Sequence, residues 1–230
     1  MGRRDTRRQL ILAAERLFAD RGIEGVSLRE INLAAGQRNT SAAHYHFGSK
    51  EALVDAIFEF RRPELGKRRD EWFDRLESEG RAADLRSLVE AFVTPLADEA
   101  RSEDSQYLMF LAHLFLHTPG DVGEILRKHE AGEQRWSALV RAALSNIPAQ
   151  LVMSRLWLMG RHVVISLAVY QRRGLGIGDQ VGGFEVYLSN MIDAVTAYLS
   201  CPVSEATKTQ VRAARASAGS TPPKDASGTG

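Results

Sequence analysis

Residues Ser27–Leu53 read SLREINLAAGQRNTSAAHYHFGSKEAL. Ser27 has the character of a helix N-cap, and Glu30, three residues on, completes a capping box. Leu28, Ile31 and Ala35 follow at helical spacing, and Gly36 closes that helix. A second short helix is expected to start near Thr40 or Ser41 and to end at Phe47. Ser49 then caps a further helix carrying Leu53, Ile57 and Phe60, which Pro63 is expected to end or kink. The preceding segment repeats Leu10, Ala14, Leu17 and Phe18 on one face and stops at Gly22. Two short helices joined by a glycine turn and packed on a preceding helix make a helix-turn-helix. Ala34, Ala35, Ala42 and Ala43 allow the two helices to approach closely. The second is too poor in large apolar groups to be a core helix. It offers instead Asn39, Thr40, Ser41, His44, Tyr45 and His46, whose donors and acceptors suit base edges and phosphates. Ser49 and Lys50 open the next helix, where unpaired N–H groups and an ammonium can hold a phosphate.

The charge distribution points the same way. The net charge of the 230 residues is only +1, yet residues 1–50 hold nine Lys or Arg against five acids. That basic end suits an anionic surface. Arg3, Arg4, Arg7 and Arg8 could track phosphates or enter a minor groove, or simply form a solvated terminus. The single cysteine, Cys201, excludes an internal disulfide and cysteine-rich metal sites. The charged start MGRRDTRRQL has no apolar signal core behind it, and the most apolar stretch, 151–170, is broken by Arg155, Arg161 and His162. A cytoplasmic protein with no membrane span is therefore expected.

Strand signals are nearly absent, so the expected class is all-α. Beyond Pro63, helices are expected near 64–79, 83–100 (kinked at Pro95), 104–117, 121–145, 148–173 and 180–200. From Pro202 no apolar face survives, and a disordered tail is expected over 202–230.

The stretch VSLREINLAAGQRNTSAAHYHFGSKEALVDAI, Val26–Ile57, resembles the DNA-binding segment of the TetR family of bacterial transcriptional regulators. The shared features are the apolar–Arg–Glu–Ile core, the Ala-Ala-Gly ending, the aromatic-rich end of the third helix and the F-x-S-K-E-x-L that follows. From Gly36 to Phe47 the chain is one residue longer than the usual family pattern, and His44 stands where a tyrosine is commoner. The resemblance implies that Arg38, Asn39, Thr40, Ser41 and Ala42 begin a recognition helix and face base edges. It implies phosphate contacts for His44, Tyr45, His46 and Lys50, places Ser27 among the DNA-contacting residues, and makes Phe47 an inward anchor. It further implies an N-terminal DNA-binding domain over 1–48, a helical effector-binding and dimerisation domain over 49–201, and a ligand-responsive regulator, most often a repressor.

In the body, Phe92, Met109, Phe110, Trp136 and Trp157 recur at helical spacing, which marks core or a ligand pocket between helices. The pocket reading expects a small apolar or amphipathic effector, with His113 or His117 as a polar contact. Those two histidines lie four apart, a spacing that could hold zinc. No third ligand accompanies them, so no metal and no other cofactor is expected. Residues 151–170 are apolar on nearly every side, and Phe184, Leu188, Met191, Ile192, Val195 and Leu199 form a broad stripe. One subunit is too small to cover both. A two-fold dimer is expected through Leu151, Leu158, Val169, Phe184, Leu188, Met191 and Val195. No nucleophile–base pair, glycine-rich phosphate loop or paired-carboxylate motif supports catalysis, so the protein is not expected to be an enzyme. The rival reading is a helical protein-interaction module whose N-terminal hairpin merely packs.

Overall fold

The computed structural model describes residues 3–39, 41–102, 104–117, 134–173 and 182–219. Every regular element among them is an α-helix: α1 Arg3–Arg21, α2 Leu28–Ala34, α3 Ala42–Phe47, α4 Lys50–Ser78, α5 Leu85–Arg101, α6 Tyr107–His117, α7 Gln134–Ala143, α8 Ala149–Arg173, α9 Phe184–Ser200 and α10 Glu205–Gly219. The expected helix over 121–145 is seen as α7, and its first part lies outside the described residues.

Residues 1–199 form one compact unit and 200–230 another. In the first, α1 is the hub. Its buried face carries Leu10, Ile11, Ala14 and Phe18. It packs on α2, α3 and α4 and also, extensively, on α6. The expected boundary at residue 48 therefore does not divide the unit, because α1 belongs to the head and is buried against the body. The core of the body is α5 between α4, α7 and α8, with α6 against α8. Burying each large side chain such as Phe18 or Leu88 stabilises the fold by about 1.5–3 kcal/mol.

Three expectations are corrected. Pro63 does not end its helix: α4 runs 29 residues through it. A proline inside a helix costs roughly 3 kcal/mol. Here Leu53, Ile57, Leu65, Phe73 and Leu76 are buried on both sides of it, and that packing offsets the lost hydrogen bond. The 202–230 stretch is not structureless throughout. Its α10 starts at Ser204, whose hydroxyl accepts the Thr207 N–H at 3.3 Å, and an exposed Lys208–Glu205 pair follows. The stripe Leu188, Met191, Ile192, Val195 and Leu199 faces the subunit's own core rather than a partner. It is covered because α9 is fastened alongside α5 and α8 by Arg86–Asp193, by Arg101–Glu185, by the Tyr170, Phe184 and Tyr187 rings, and by Arg155 capping the Leu199 carbonyl.

α8 is the one described helix long and apolar enough to cross a bilayer by length and composition. It carries Arg155 and Arg161 within its span, each costing about 2.5–3.5 kcal/mol at a bilayer centre, and it packs on α5 and α6.

Candidate nucleic-acid interface

The head is assembled by caps. Ser27 Oγ accepts the Glu30 N–H at 3.3 Å and donates to the Glu30 carboxylate at 2.7 Å, while the Ser27 N–H donates to the same oxygen at 2.8 Å. Arg21 Nη1 holds the other oxygen at 2.8 Å. The Ser27 hydroxyl, then its N–H, then Arg21 pull the Glu30 carboxyl down to about 2. Ser27 is thus engaged in starting α2, a different role from the expected DNA contact. Because the folded value lies below the unfolded one, this cap is intact above about pH 4.5 and is lost as pH falls towards 2. Carbon-detected NMR titration should find the Glu30 midpoint near 2, and Ser27→Ala should move it up towards the ordinary carboxylate range.

The chain leaves α2 through Gly36, and Gln37 ties the turn to α1 by donating to Gln9 Oε1 at 3.0 Å. Asn39 Oδ1 accepts the Ser41 N–H at 3.0 Å, an Asx turn leading into α3. Arg38, Asn39, Ser41, His44 and Tyr45 are exposed, and His46 is half-buried beside the Tyr45 ring, with centroids 5.4 Å apart. Ala42 is not part of that surface. It is buried with Ala43, because a close approach of α3 to α2 needs both methyl groups inside. Thr40 lies outside the described residues. α3 ends at Gly48, whose φ of +78° turns the chain sharply into the Ser49 cap of α4.

Lys50 stitches the start of α4 to the α1–α2 turn, donating to the Ile23 carbonyl at 3.0 Å and reaching Glu24 at 3.4 Å. Two of its three donors are engaged. Arg7 lies over the Phe47 ring at 5.4 Å and pairs with Glu59, which holds it on α4, and Phe47 itself is half-buried. The side chains of Arg3 and Arg4 lie outside the described residues. A concavity of about 540 Å³ opens between Glu24, Val26, Ser27, Leu28 and Lys50.

Sequence reasoning passed over three features here. Leu33 is 80% exposed on α2, an apolar side chain outside the Leu28, Ile31 and Ala35 face. Asn32 is buried, and its position four after Leu28 could have flagged it as inward-facing. Glu15 and Arg61 sit at core spacing, i+4 from Ile11 and Ile57, and they meet. Arg61 Nε and Nη2 donate to the Glu15 carboxylate at 2.7 and 2.5 Å, and Nη1 lies 3.7 Å from Glu99. Burial opposes the Arg61 charge, but the Glu15 hydrogen bonds and the two carboxylates outweigh it and raise its pKa. Ser105 Oγ donates to Glu99 at 2.6 Å, and Gln171 of α8 donates to the carbonyls of Glu99, Ser102 and Ser105. One buried polar joint therefore links the head to α4, α5 and α8.

Three of the residues assigned to an effector pocket, Phe92, Phe110 and Trp136, are packed core. Phe110 is fully buried among Phe18, Phe58 and Tyr107. Phe92 packs on Trp136, whose indole N–H is bonded to the Leu88 carbonyl at 2.8 Å. Met109 is half-buried, and the half-buried His113 lies against Gly22 at the end of α1. Trp157 is on the surface under Arg161. The His117 side chain lies outside the described residues. A second concavity, about 440 Å³, lies at Arg141, Ser145–Ala149 and Val152.

Residues 10–57 match the family model of bacterial regulatory proteins, tetR family. The likeness to that family is thus carried by the head, from α1 to the first turns of α4. Its solved structural neighbours include HlyIIR, a hemolysin II transcriptional regulator (TM-score 0.54, 17% identity, covering 85% of this chain and 99% of that one). They also include a putative TetR-family regulator from Mesorhizobium loti (0.52, 20%, 86% and 96%). A third is NalD, the secondary repressor of the MexAB-OprM multidrug efflux pump in Pseudomonas aeruginosa (0.53, 18%, 84% and 96%). At these identities the likeness is one of fold. No curated protein sequence matches the chain. In TetR-family terms α1–α3 are the helix-turn-helix head and α4 leads from it into the body.

Proposed function

We propose that the protein is a cytoplasmic, homodimeric transcriptional repressor that binds double-stranded operator DNA through α3 and is released by a small apolar or amphipathic effector in the helical body. The observation carrying DNA binding is the exposed row of Arg38, Asn39 and Ser41 in the turn before α3 and His44 and Tyr45 on α3, a helix whose fully buried residues are only the alanines Ala42 and Ala43. Such a surface gives little to a core and much to base edges and phosphates. The third Lys50 donor is available to a phosphate at the start of α4. The repressor sense follows NalD only by analogy of fold.

Dimerisation is supported by what the subunit leaves uncovered. Met153, Trp157, Leu158 and Val169 on α8 and Val186 on α9 are exposed large apolar groups. Of the residues expected at the interface, Leu158 and Val169 are exposed, Leu151 and Phe184 are half-buried, and Leu188, Met191 and Val195 are core. Leu158→Glu is expected to shift the protein towards monomer in sedimentation-velocity runs at micromolar concentration, and an unchanged dimer would contradict this face. A two-fold pair presents two α3 helices to successive major-groove faces.

The polar joint around Arg61 supports the regulatory half of the reading, because a change in the body that moves α5 or α8 must act on Glu15 of α1. The deciding experiment is binding to duplexes from the regions flanking its own gene, over a range of salt. Affinity should fall steeply with salt, and Lys50→Ala should lessen the log–log slope by roughly 0.9 for a phosphate contact. Absence of binding to every fragment at low salt would leave the interaction-module reading in its place.

A further inference from the structure

The recognition helix has little of its own to fix its orientation. It has six residues, and its only fully buried side chains are the Ala42 and Ala43 methyl groups, with His46 and Phe47 half-buried at its far end. Smooth small side chains give no ridge to lock into a groove, so packing alone permits α3 to roll or slide. Ser41 stands at the N-cap position, yet its side chain makes no cap bond. A helix start needs an acceptor for its first N–H groups, and Ala43 is fully buried.

That acceptor comes from another helix. The Ala43 N–H donates to Asn32 Oδ1 at 2.7 Å, and Asn32 is 1% exposed on α2. The Asn32 backbone carbonyl accepts the Gln37 N–H at 2.9 Å. One residue therefore closes the exit of α2 and opens α3, across a turn that is one residue longer than the family pattern. We propose that Asn32 is the positioning residue of the DNA site: its buried amide caps the recognition helix from outside and sets the roll and depth at which Ser41, His44 and Tyr45 meet the bases. The proposal rests on the DNA-binding reading above.

The chemistry separates two kinds of contact. Hydrogen bonds to base edges tolerate only tenths of an ångström, whereas charge contacts to phosphate tolerate a displaced helix. The head does not depend on Asn32 for its core, which is Leu10, Phe18, Ile31 and Leu53. Loss of the cap should therefore degrade specificity before it degrades folding.

The test uses full-length dimer, an operator selected from random duplexes, and a scrambled duplex of the same length. Asn32→Ala is expected to weaken operator binding about 30-fold, within the range of one lost base-reading pair, while scrambled binding stays within about twofold. Asn32→Asp keeps an acceptor for the Ala43 N–H and should recover most of the preference. Amide exchange should quicken at Ala43 in the alanine variant and stay unchanged at the α1 and α4 core amides. Wild-type operator preference in Asn32→Ala would overturn the proposal. So would equal loss on both duplexes, or exchange showing that the whole head has opened. Failure of the wild-type protein to bind any duplex would overturn the DNA-binding reading as well, which keeps the two failures distinct.

Discussion

Arg61→Leu should lower stability by about 3–5 kcal/mol, the usual consequence of removing one partner from a buried ionic pair. Glu15 and Glu99 are both buried, and the guanidinium lies between them. Without it, two carboxylates remain in a space shaped for a cation, and water reaches Glu15 poorly at the α1–α4–α6 junction. For a chain of this size the loss corresponds to a fall in melting temperature of roughly 10 °C. Urea denaturation of wild type, Arg61→Leu, Glu15→Gln and the double variant closes a thermodynamic cycle. The double variant should regain more than half of the loss, because the neutral amide no longer needs the cation while Glu99 keeps Ser105 and Arg68. A loss below about 1 kcal/mol would place the pair in the class of solvated surface bridges and would remove the joint from any account of coupling.

Phe110→Ala should cost about 3–5 kcal/mol, the range for emptying a buried aromatic site. The ring is fully buried, at 6.3 Å from Phe18, 5.9 Å from Phe58 and 6.1 Å from Tyr107. These partners come from α1, α4 and α6, so collapse around the cavity would require three helices to move together. A residue lining an effector pocket would behave differently: truncation would enlarge existing empty space and cost little. Denaturation therefore distinguishes core from pocket at this position, and a loss under about 1 kcal/mol would restore the pocket reading for Phe110.

Both variants expose how far sequence patterning reaches. The capping box at Ser27 and Glu30, the glycine exits at Gly22, Gly36 and Gly48, and the Ser49 cap are legible because each is a contact between residues at most four apart. The polar row on α3 is legible for the same reason, since six consecutive positions on one short helix declare their own faces. Ala42 was misplaced because an alanine is equally acceptable at a base edge and at a helix crossing, and only the neighbouring helix decides. The helix end expected at Pro63 fails because local rules count the lost hydrogen bond and the clash, but not the buried residues on both sides of it.

Phe110, Trp136 and the α9 stripe fail in another way. Helical spacing shows that a side chain points to one face, and says nothing of what covers that face. Leu188, Met191 and Val195 read as a dimer surface until α5 and α8 are seen beside them. Leu33 is the converse, an apolar side chain that no neighbour covers.

The amino-acid sequence alone determined the all-helical class, the helix-turn-helix and the polar side of α3, because short-range caps, turns and periodicity are written in adjacent residues. Tertiary structure alone decided that Glu15 meets Arg61 across 46 positions, that Asn32 caps Ala43, and which apolar stripes are already covered. Those outcomes depend on which distant surfaces come together, and burial, unlike spacing, is a property of the assembled chain.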